Sequence, residues 1–171
     1  MAERAPWLRM LAPAARFVLQ CGAEARLAAG AAFGVALPET PCRAQARDSR
    51  AALWLGPDEH LLIAPVAELH AIAAAIDKSL AGIAHSLVDV SQRQLAIEVS
   101  GRDAAAILNC GCPLDLDAGA FPAGACTRTL FGKADIVLWR TGGEEFRLEV
   151  PRSFAPYVSE LLREAARDFL A

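Results

Sequence analysis

The chain has 171 residues, a formal net charge of −3 and 54% hydrophobic residues. This length suits one domain, or two small halves that share a core, and the composition excludes intrinsic disorder. A nucleic-acid partner is excluded as well, because proteins that bind nucleic acid carry a basic excess.

Cysteine usage and hydropathy predict a cytoplasmic protein. The cysteines are Cys21, Cys42, Cys110, Cys112 and Cys126, with no repeated spacing. A secreted disulfide framework would be smaller and denser in cysteine, so we expect reduced and mostly buried thiols. Arg16, Glu24 and Arg26 interrupt any apolar leader, and no charge-free apolar run reaches the length of a membrane span. We therefore predict no signal peptide and no contact with a membrane.

The first half of the chain predicts strands alternating with helices. The elements are, in order, a strand over Phe17–Gln20, a helix over Ala23–Phe33, a loop over Pro38–Arg50, strands over Leu53–Leu55 and His60–Ala64, and a helix over Val66–Leu80. Gly34 is a typical residue to end the first helix. Gly56–Glu59 has turn composition, which makes the two strands around it a hairpin.

The second half repeats this order. Its elements are strands over Leu87–Val90 and Leu95–Val99, a helix over Arg102–Asn109, a loop over Pro113–Gly124, strands over Ile136–Trp139 and Phe146–Val150, and a helix from Ser153 to about Leu170. Ser100 and Asp103 are spaced as a capping box, and Ser153 is a predicted cap. Ile136–Trp139 is apolar on both faces, which predicts a central strand.

Both halves therefore read strand, helix, hairpin, helix, which indicates an internal repeat of about residues 16–82 and 86–171. The aligned positions are Gly22 with Gly101, Trp54 with Trp139, and Pro65 with Pro151. The alternative is that similar turns recur by chance. The predicted fold is a single α+β domain, residues 1–171, of two pseudo-repeats whose antiparallel or mixed sheets are covered by helices.

Few residues are arranged for catalysis. The sequence has no nucleophile elbow, no P-loop and no dinucleotide-binding fingerprint. His60, His70 and His85 lack metal-ligand spacing, and Cys110-Gly-Cys112 lacks the second ligand pair of a zinc site. We therefore assign no catalytic, cofactor-binding or metal-binding residue.

Two pairs of side chains have both a functional and a structural interpretation. Asp115 and Asp117 would share one side of an extended segment, where paired carboxylates can perform acid–base chemistry, although solvated turn residues are the simpler interpretation. Trp54 and Trp139 would floor a ring-binding cleft or pack in the core.

A series of motifs runs through the chain in a fixed order. They are Ala52-Leu-Trp-Leu-Gly-Pro-Asp-Glu59, Leu87-Val-Asp-Val-Ser-Gln-Arg93, Ile97-Glu-Val-Ser-Gly101, Gly111-Cys-Pro-Leu-Asp-Leu-Asp117, Phe121-Pro-Ala-Gly124, Cys126-Thr-Arg-Thr-Leu-Phe-Gly-Lys133, Ile136-Val-Leu-Trp-Arg140 and Arg152-Ser-Phe-Ala-Pro-Tyr157. Together they resemble the gamma subunit of heterotetrameric sarcosine oxidase, over nearly the whole chain. Gln92 departs from the pattern, since histidine is common there.

The resemblance implies a fold similar to the folate-binding part of the glycine cleavage T protein, the folate-binding aminomethyltransferase-like fold. It also implies a complex with alpha, beta and delta subunits that oxidatively demethylates sarcosine to glycine. The one-carbon unit passes to tetrahydrofolate or leaves as formaldehyde, and oxygen is reduced to peroxide. In that family FAD and FMN are held mainly through beta, NAD and folate sites belong to alpha, and zinc to delta.

The leading hypothesis is therefore a non-catalytic, structural gamma subunit. One alternative is a free-standing folate-binding or one-carbon transfer domain, for which Asp89 and Asp115 are the plausible bases. Another is the same subunit role in a related N-methyl amino acid oxidase or dehydrogenase.

A subunit needs a surface for its partners, and stable interfaces are rich in aromatic and arginine anchors. The densest group of such residues lies in the second half, beside the loop Pro113–Gly124. The predicted interface residues are Arg128, Phe131, Arg140, Arg152 and Phe154. Phe131 lies next to a turn, so it either faces a partner or folds back on its own sheet.

Overall fold

The structure is a computed structural model that describes residues 7–169. By their internal contacts these residues form two compact units: an N-unit, Pro13–Ser91, and a C-unit, residues 92–169 together with residues 7–12. That the whole chain makes a single domain stays a prediction.

The elements alternate much as the sequence predicts. In chain order they are β1 (Leu8–Met10), β2 (Ala14–Cys21), α1 (Ala23–Phe33), β3 (Ala44–Arg47), β4 (Arg50–Gly56), β5 (Glu59–Pro65), a 3-10 helix (Val66–Glu68), α2 (Leu69–Ser79), β6 (His85–Asp89), β7 (Gln94–Ser100), α3 (Ala104–Asn109), β8 (Cys126–Phe131), β9 (Ala134–Arg140), β10 (Glu145–Pro151), a 3-10 helix (Arg152–Phe154) and α4 (Ala155–Ala166).

Each unit is a five-stranded sheet with two helices. The strand order is β3-β4-β5-β2-β6 in the N-unit and β1-β7-β10-β9-β8 in the C-unit. All neighbouring strands are antiparallel. This is the predicted α+β class, and β9 is an interior strand, although β10 occupies the middle.

In each unit the helices pack on one face of the sheet and close a hydrophobic core. In the N-unit Phe33 of α1 and Ile76 of α2 join Phe17 and Leu62 of the sheet. In the C-unit the same layer holds α3 and α4 against the sheet, with Phe131, Phe146 and Leu162 buried in it. Burial of a large apolar side chain stabilises a fold by roughly 1.5–3 kcal/mol, so these two layers are the main source of stability in each unit.

The first strand of each repeat joins the other repeat's sheet. β1 precedes β2 in the chain as β6 precedes β7, yet β1 pairs with β7 and β6 pairs with β2. Leu8 lies opposite Val99, for example, and Leu87 lies opposite Leu19. The sequence repeat and the compact unit therefore differ by one exchanged strand.

Strand register identifies which positions of the two repeats are equivalent. Pro65 pairs with Ala14 as Pro151 pairs with Gln94, and both prolines lead into a 3-10 helix, which agrees with the predicted alignment.

The other two predicted alignments are one residue out. The amide of Cys21 donates to the Asp58 carbonyl as that of Gly101 donates to Glu144, so Cys21, not Gly22, is the counterpart of Gly101. Likewise Trp54 lies opposite His60 as Arg140 lies opposite Phe146, so the counterpart of Trp54 is Arg140 and not Trp139.

Three strands and the helix caps differ from the sequence prediction. β3 lies within the predicted loop Pro38–Arg50, and β1 and β8 were not predicted. β1 and β3 are too short to show alternation of buried and exposed residues. β8 does show it, because Thr127, Thr129 and Phe131 are less exposed than the intervening Arg128 and Leu130. α3 and α4 begin after Asp103 and Phe154 with no side-chain cap hydrogen bond, so the predicted caps at Ser100 and Ser153 are wrong. The predicted end of the last helix at Leu170 lies outside the described residues.

Candidate functional site

The predicted interface residues occupy two different environments in the C-unit. Arg128, Arg152 and Phe154 are exposed, whereas Phe131 and Arg140 are buried. Arg128 lies on β8, one of the two edge strands of the sheet. The three exposed residues remain a predicted interface, and the two buried ones have internal roles.

Phe131 folds back on its own unit. Its side chain is fully buried in the core between the sheet and the helices. The close packing includes Gly111, where an added Cβ would lie 2.7 Å from the Phe131 ring. The expectation that Phe131 faces a partner is therefore corrected: the ring lies in the core of its own unit, packed against the segment after α3.

Arg140 is a buried structural arginine. Its Nη1 donates to the carbonyls of Leu116 (3.1 Å) and Phe121 (2.9 Å), and its Nε donates to the carbonyl of Gly143 (3.1 Å). The guanidinium also lies over the ring of Phe146, 4.9 Å from its centroid. Carbonyl oxygens and a π face therefore satisfy a buried cation. This corrects the expectation that Arg140 is an anchor for a partner: it ties the loop Pro113–Gly124 to the β9–β10 turn.

Arg152 and Phe154 lie on the 3-10 helix before α4. Arg152 Nε donates to the backbone carbonyl of Gln92 at 3.0 Å, and its Nη2 donates to the side-chain oxygen of Gln92 at 3.3 Å. Phe154 meets Tyr157 edge to face, with ring centroids 6.3 Å apart, and both rings are about two-fifths exposed. Of this exposed aromatic pair, only Phe154 was predicted as an interface residue.

The carboxylates considered as bases hold turns. Asp89 Oδ1 accepts a hydrogen bond from the Ser91 amide, and Asp115 Oδ1 accepts one from the Asp117 amide, both at 2.9 Å. Asp117 in turn accepts from the Gly119 amide at 2.8 Å. All three aspartates are exposed, which agrees with the interpretation as solvated turn residues.

The histidines and cysteines are dispersed. His60 is fully buried, His70 is exposed on α2, and His85 lies 3.7 Å from Asp77. Cys112 is buried while Cys110 is exposed. Between residues 7 and 169 no group of three or more His, Cys, Asp or Glu side chains is placed to hold a metal ion. The Cys110-Gly-Cys112 motif therefore does not fit the ligand set of a zinc site.

Burial perturbs two titratable groups in the N-unit. It raises the pKa of the Cys21 thiol and lowers the pKa of His60. His60 Nε2 lies 2.9 Å from the Pro38 carbonyl, which fixes that nitrogen as the donor, and its Nδ1 is buried without a partner among the described residues. His60 thereby holds the segment after α1, just as Arg140 holds the loop after α3.

The N-unit also carries a groove of about 540 Å³ beside α1, lined by Arg26, Leu27, Ala31, Leu37, Gln45 and Arg47 among others. The Arg26 guanidinium lies 3.3 Å from Glu39, and its Nε is buried without a partner in the described part of the chain. Sequence reasoning missed this groove, because four of its eleven lining residues come from a segment predicted to be a plain loop. None of the helices within residues 7–169 has the length and apolar character of a membrane-spanning helix.

The fold defines an aminomethyltransferase-like class of α+β protein. The structure of glycine cleavage system aminomethyltransferase T from Bartonella henselae matches 91% of this chain and 44% of its own, with a TM-score of 0.69 and 14% identity. At that identity the likeness shows the fold alone.

A narrower match comes from sequence. Residues 21–168 match the model of the sarcosine oxidase, gamma subunit family, and the chain belongs to that family. A sarcosine oxidase subunit gamma from an Arthrobacter species is 35% identical over 134 residues. The aligned region makes up 78% of this chain and 64% of that relative, so the chain spans less than two thirds of the relative's length. The corresponding protein of Corynebacterium sp. (strain U-96) is 31% identical over 99% of this chain and 83% of its own.

A solved structure agrees with the sequence match. It is described as heterotetrameric sarcosine oxidase from Corynebacterium sp. U-96 in complex with pyrrole 2-carboxylate. One of its chains matches 96% of this chain and 85% of its own, with a TM-score of 0.89 and 30% identity.

Proposed function

We propose that this chain is the non-catalytic gamma subunit of a heterotetrameric sarcosine oxidase, with alpha, beta and delta subunits as its partners. The observation that carries the proposal is the likeness in both sequence and structure, at 30% identity and a TM-score of 0.89, to a chain of such an enzyme. The proposed complex oxidises sarcosine with oxygen and water to glycine, peroxide and a one-carbon unit, which leaves as formaldehyde or is transferred to tetrahydrofolate.

The side chains of both units support a structural role. The candidate bases Asp89 and Asp115 are engaged in turns, and Arg140 is engaged with backbone carbonyls. A general base needs a perturbed carboxylate or histidine in reach of substrate, and the histidine with a perturbed pKa, His60, is fully buried. In this proposal FAD, FMN, NAD, tetrahydrofolate and zinc are bound by the other subunits, and the complex is cytoplasmic.

Co-expression tests the proposal. The chain carrying an affinity tag is produced with the products of the neighbouring genes, and peroxide release is measured with sarcosine and with other N-methyl amino acids. We expect equimolar recovery of three further chains, a flavin spectrum in the complex and activity with sarcosine.

The chain purified alone is the control, and we expect neither flavin absorbance nor zinc in it. Stoichiometric flavin or metal in the isolated chain would contradict the non-catalytic role. Activity confined to another N-methyl amino acid would retain the subunit role and replace the substrate. Tight binding of tetrahydrofolate by the isolated chain, with no partner recovered, would favour a free-standing folate-binding domain.

A further inference from the structure

The groove of the N-unit lies between a helix and the edge of a sheet. α1 contributes Arg26 and Leu27 to its lining, and β3 contributes Gln45 and Arg47. β3 is an edge strand of the N-unit sheet, so it pairs with β4 on one side, and within residues 7–169 its other edge has no neighbouring strand in the sheet. A volume of about 540 Å³ is within the usual range of ligand-binding clefts, roughly 300–1,000 Å³.

The hydrogen-bonding direction of β3 follows from its register. The Trp54 amide donates to the Arg43 carbonyl at 3.0 Å, which makes Arg43 and Trp54 a hydrogen-bonded pair. Such pairs alternate along an antiparallel ladder, so Gln45 and Arg47 also bond towards β4. Ala44 and Ala46 then direct their N–H and C=O groups away from the sheet, where an added strand would meet them.

The helix beside this edge presents apolar surface. Leu27 is 77% exposed, the highest value among the large apolar side chains of the described residues. Ala31 lies one turn further along α1 and is also exposed, and both line the groove. A single exposed leucine is ordinary on a protein surface, but an exposed leucine that continues into a cleft is typical of a binding surface.

The charges of the groove favour an acidic occupant. Its lining holds two guanidinium groups, Arg26 and Arg47, against the single carboxylate of Glu39. Glu39 lies 3.3 Å from Nη2 of Arg26, and Asp48, which is not part of the lining, lies 3.8 Å from Nε of Arg47. Both carboxylates are largely exposed, so water screens these ion pairs and a carboxylate bound in the groove can compete with them.

We propose that this groove receives an extended, acidic segment of a partner subunit, which adds as a strand to the outer edge of β3. Main-chain hydrogen bonds to Ala44 and Ala46 supply the pairing, alternate side chains of the segment cover Leu27, and a carboxylate meets Arg26 and Arg47. This is strand addition, a common mode of peptide recognition. The inference rests on the proposed subunit function for the source of the segment.

The experiment uses the full chain in the co-expressed complex and two pairs of variants. Ala46→Pro removes one outward amide and leaves the ladder to β4 intact, while Ala46→Val keeps that amide. Leu27→Glu places a charge in the groove, while Val66→Glu makes the same change at another exposed apolar residue of the N-unit. Circular dichroism and thermal melting of each isolated variant establish that it folds.

We expect Ala46→Pro and Leu27→Glu to weaken recovery of the partner subunits at least about tenfold, and the two control variants to remain within about twofold of wild type. Hydrogen exchange gives a direct readout, since the amides of β3 should exchange more slowly in the complex than in the free chain.

Wild-type-like assembly of both groove variants would overturn the docking site and leave the subunit role intact. Unchanged exchange over β3 in an assembled complex would overturn it in the same way. Failure of the wild-type chain to recover any partner would overturn the subunit function and, with it, the source of the segment. Loss of binding in Leu27→Glu with full binding and slow β3 exchange in Ala46→Pro would contradict the role of the Ala46 amide.

Discussion

The two units hold corresponding loops by polar side chains at different positions of their hairpins. Each must hold the loop that connects its first helix to its edge strand. In the C-unit the polar residue lies on β9 and the aromatic on β10, as Arg140 and Phe146; in the N-unit the aromatic Trp54 lies on β4 and the polar His60 on β5. Both polar side chains bond to loop carbonyls, to Leu116 and Phe121 in one unit and to Pro38 in the other.

Loop length explains the difference. The C-unit loop runs over residues 110–125 and is held by a guanidinium, which has five N–H donors in a fixed geometry. The N-unit segment runs over residues 34–43, and the one N–H of a neutral imidazole holds it at Pro38. The pair of equivalent positions therefore has the same role in both units, the support of a loop, but the polar residue is on the first hairpin strand in the C-unit and on the second in the N-unit.

The largest expected effect comes from removing the donor in the C-unit. Arg140→Met keeps much of the apolar volume but leaves buried carbonyls, including those of Leu116 and Phe121, without their hydrogen bonds. Each buried unsatisfied group costs about 1–3 kcal/mol, and partial access of water limits the sum, so we expect a loss of about 3–5 kcal/mol in the free energy of unfolding. Urea unfolding of the isolated chain measures it. Arg102→Met, at an exposed arginine, is the control and should cost at most about 0.5 kcal/mol; a comparable cost for both would refute the structural role of Arg140.

The second-largest loss of stability is expected at the turn before β9, which differs from its counterpart in the N-unit in what surrounds it. Gly132 and Asp48 both begin two-residue turns with positive φ, 59° and 55°, but an added Cβ at Gly132 would contact Tyr157 and Leu161 of α4. Gly132→Ala should therefore lose about 2–3 kcal/mol of stability in the same urea assay. Gly124→Ala, also at positive φ but with open space around it, should lose only the backbone cost of about 1–2 kcal/mol.

The double variant Gly132→Ala with Tyr157→Phe separates contact from backbone strain. Removing the Tyr157 hydroxyl should recover part of the loss. Equal losses for Gly132→Ala and Gly124→Ala would show that α4 does not crowd the turn.

A third prediction concerns the histidine that supports the N-unit loop. Burial lowers the pKa of His60 below its ordinary value of 6.5, with Arg26 lowering it further and Glu59 and the bond to Pro38 opposing. The unfolded chain then binds a proton that the folded chain does not, so stability is complete above pH 6.5 and falls as the pH is lowered. The slope is at most about 1.4 kcal/mol per pH unit.

Urea unfolding between pH 7.5 and pH 5 measures this slope, and His60→Gln should flatten it. His70→Gln, at an exposed histidine of α2, is the matched control and should leave the slope unchanged. A profile that is the same in wild type and His60→Gln would show that His60 is not the group responsible.

The smallest effect is expected at Gln92. After the equivalent prolines the C-unit has Arg152, bonded to Gln92, while the N-unit has the exposed Val66, which has no side-chain donor. The bond from Arg152 to the Gln92 backbone persists in Gln92→Ala, so that variant should change stability by less than about 0.5 kcal/mol. Gln92→His should be equally neutral for folding of the isolated chain. A larger loss in Gln92→Ala would show that the amide side chain, rather than the backbone, holds Arg152.

The sequence by itself determined the class of fold, the repeat and the family. Alanine-rich composition and the stop at Gly34 placed α1 at Ala23–Phe33, and the paired hairpins and the prolines Pro65 and Pro151 marked the two repeats. These features are local, because turn chemistry and side-chain alternation depend on a few neighbouring residues.

Only the tertiary structure decided which strands complete each sheet and which arginines are exposed. The exchange of β1 and β6 depends on pairing between residues far apart in the chain, and a three-residue strand has no periodicity to predict it. Arg140 and Arg128 look alike in sequence, but one guanidinium is buried because carbonyls from a distant loop converge on it. The groove of the N-unit likewise exists only because β3 lies beside α1 in the fold, and no local pattern encodes that neighbourhood.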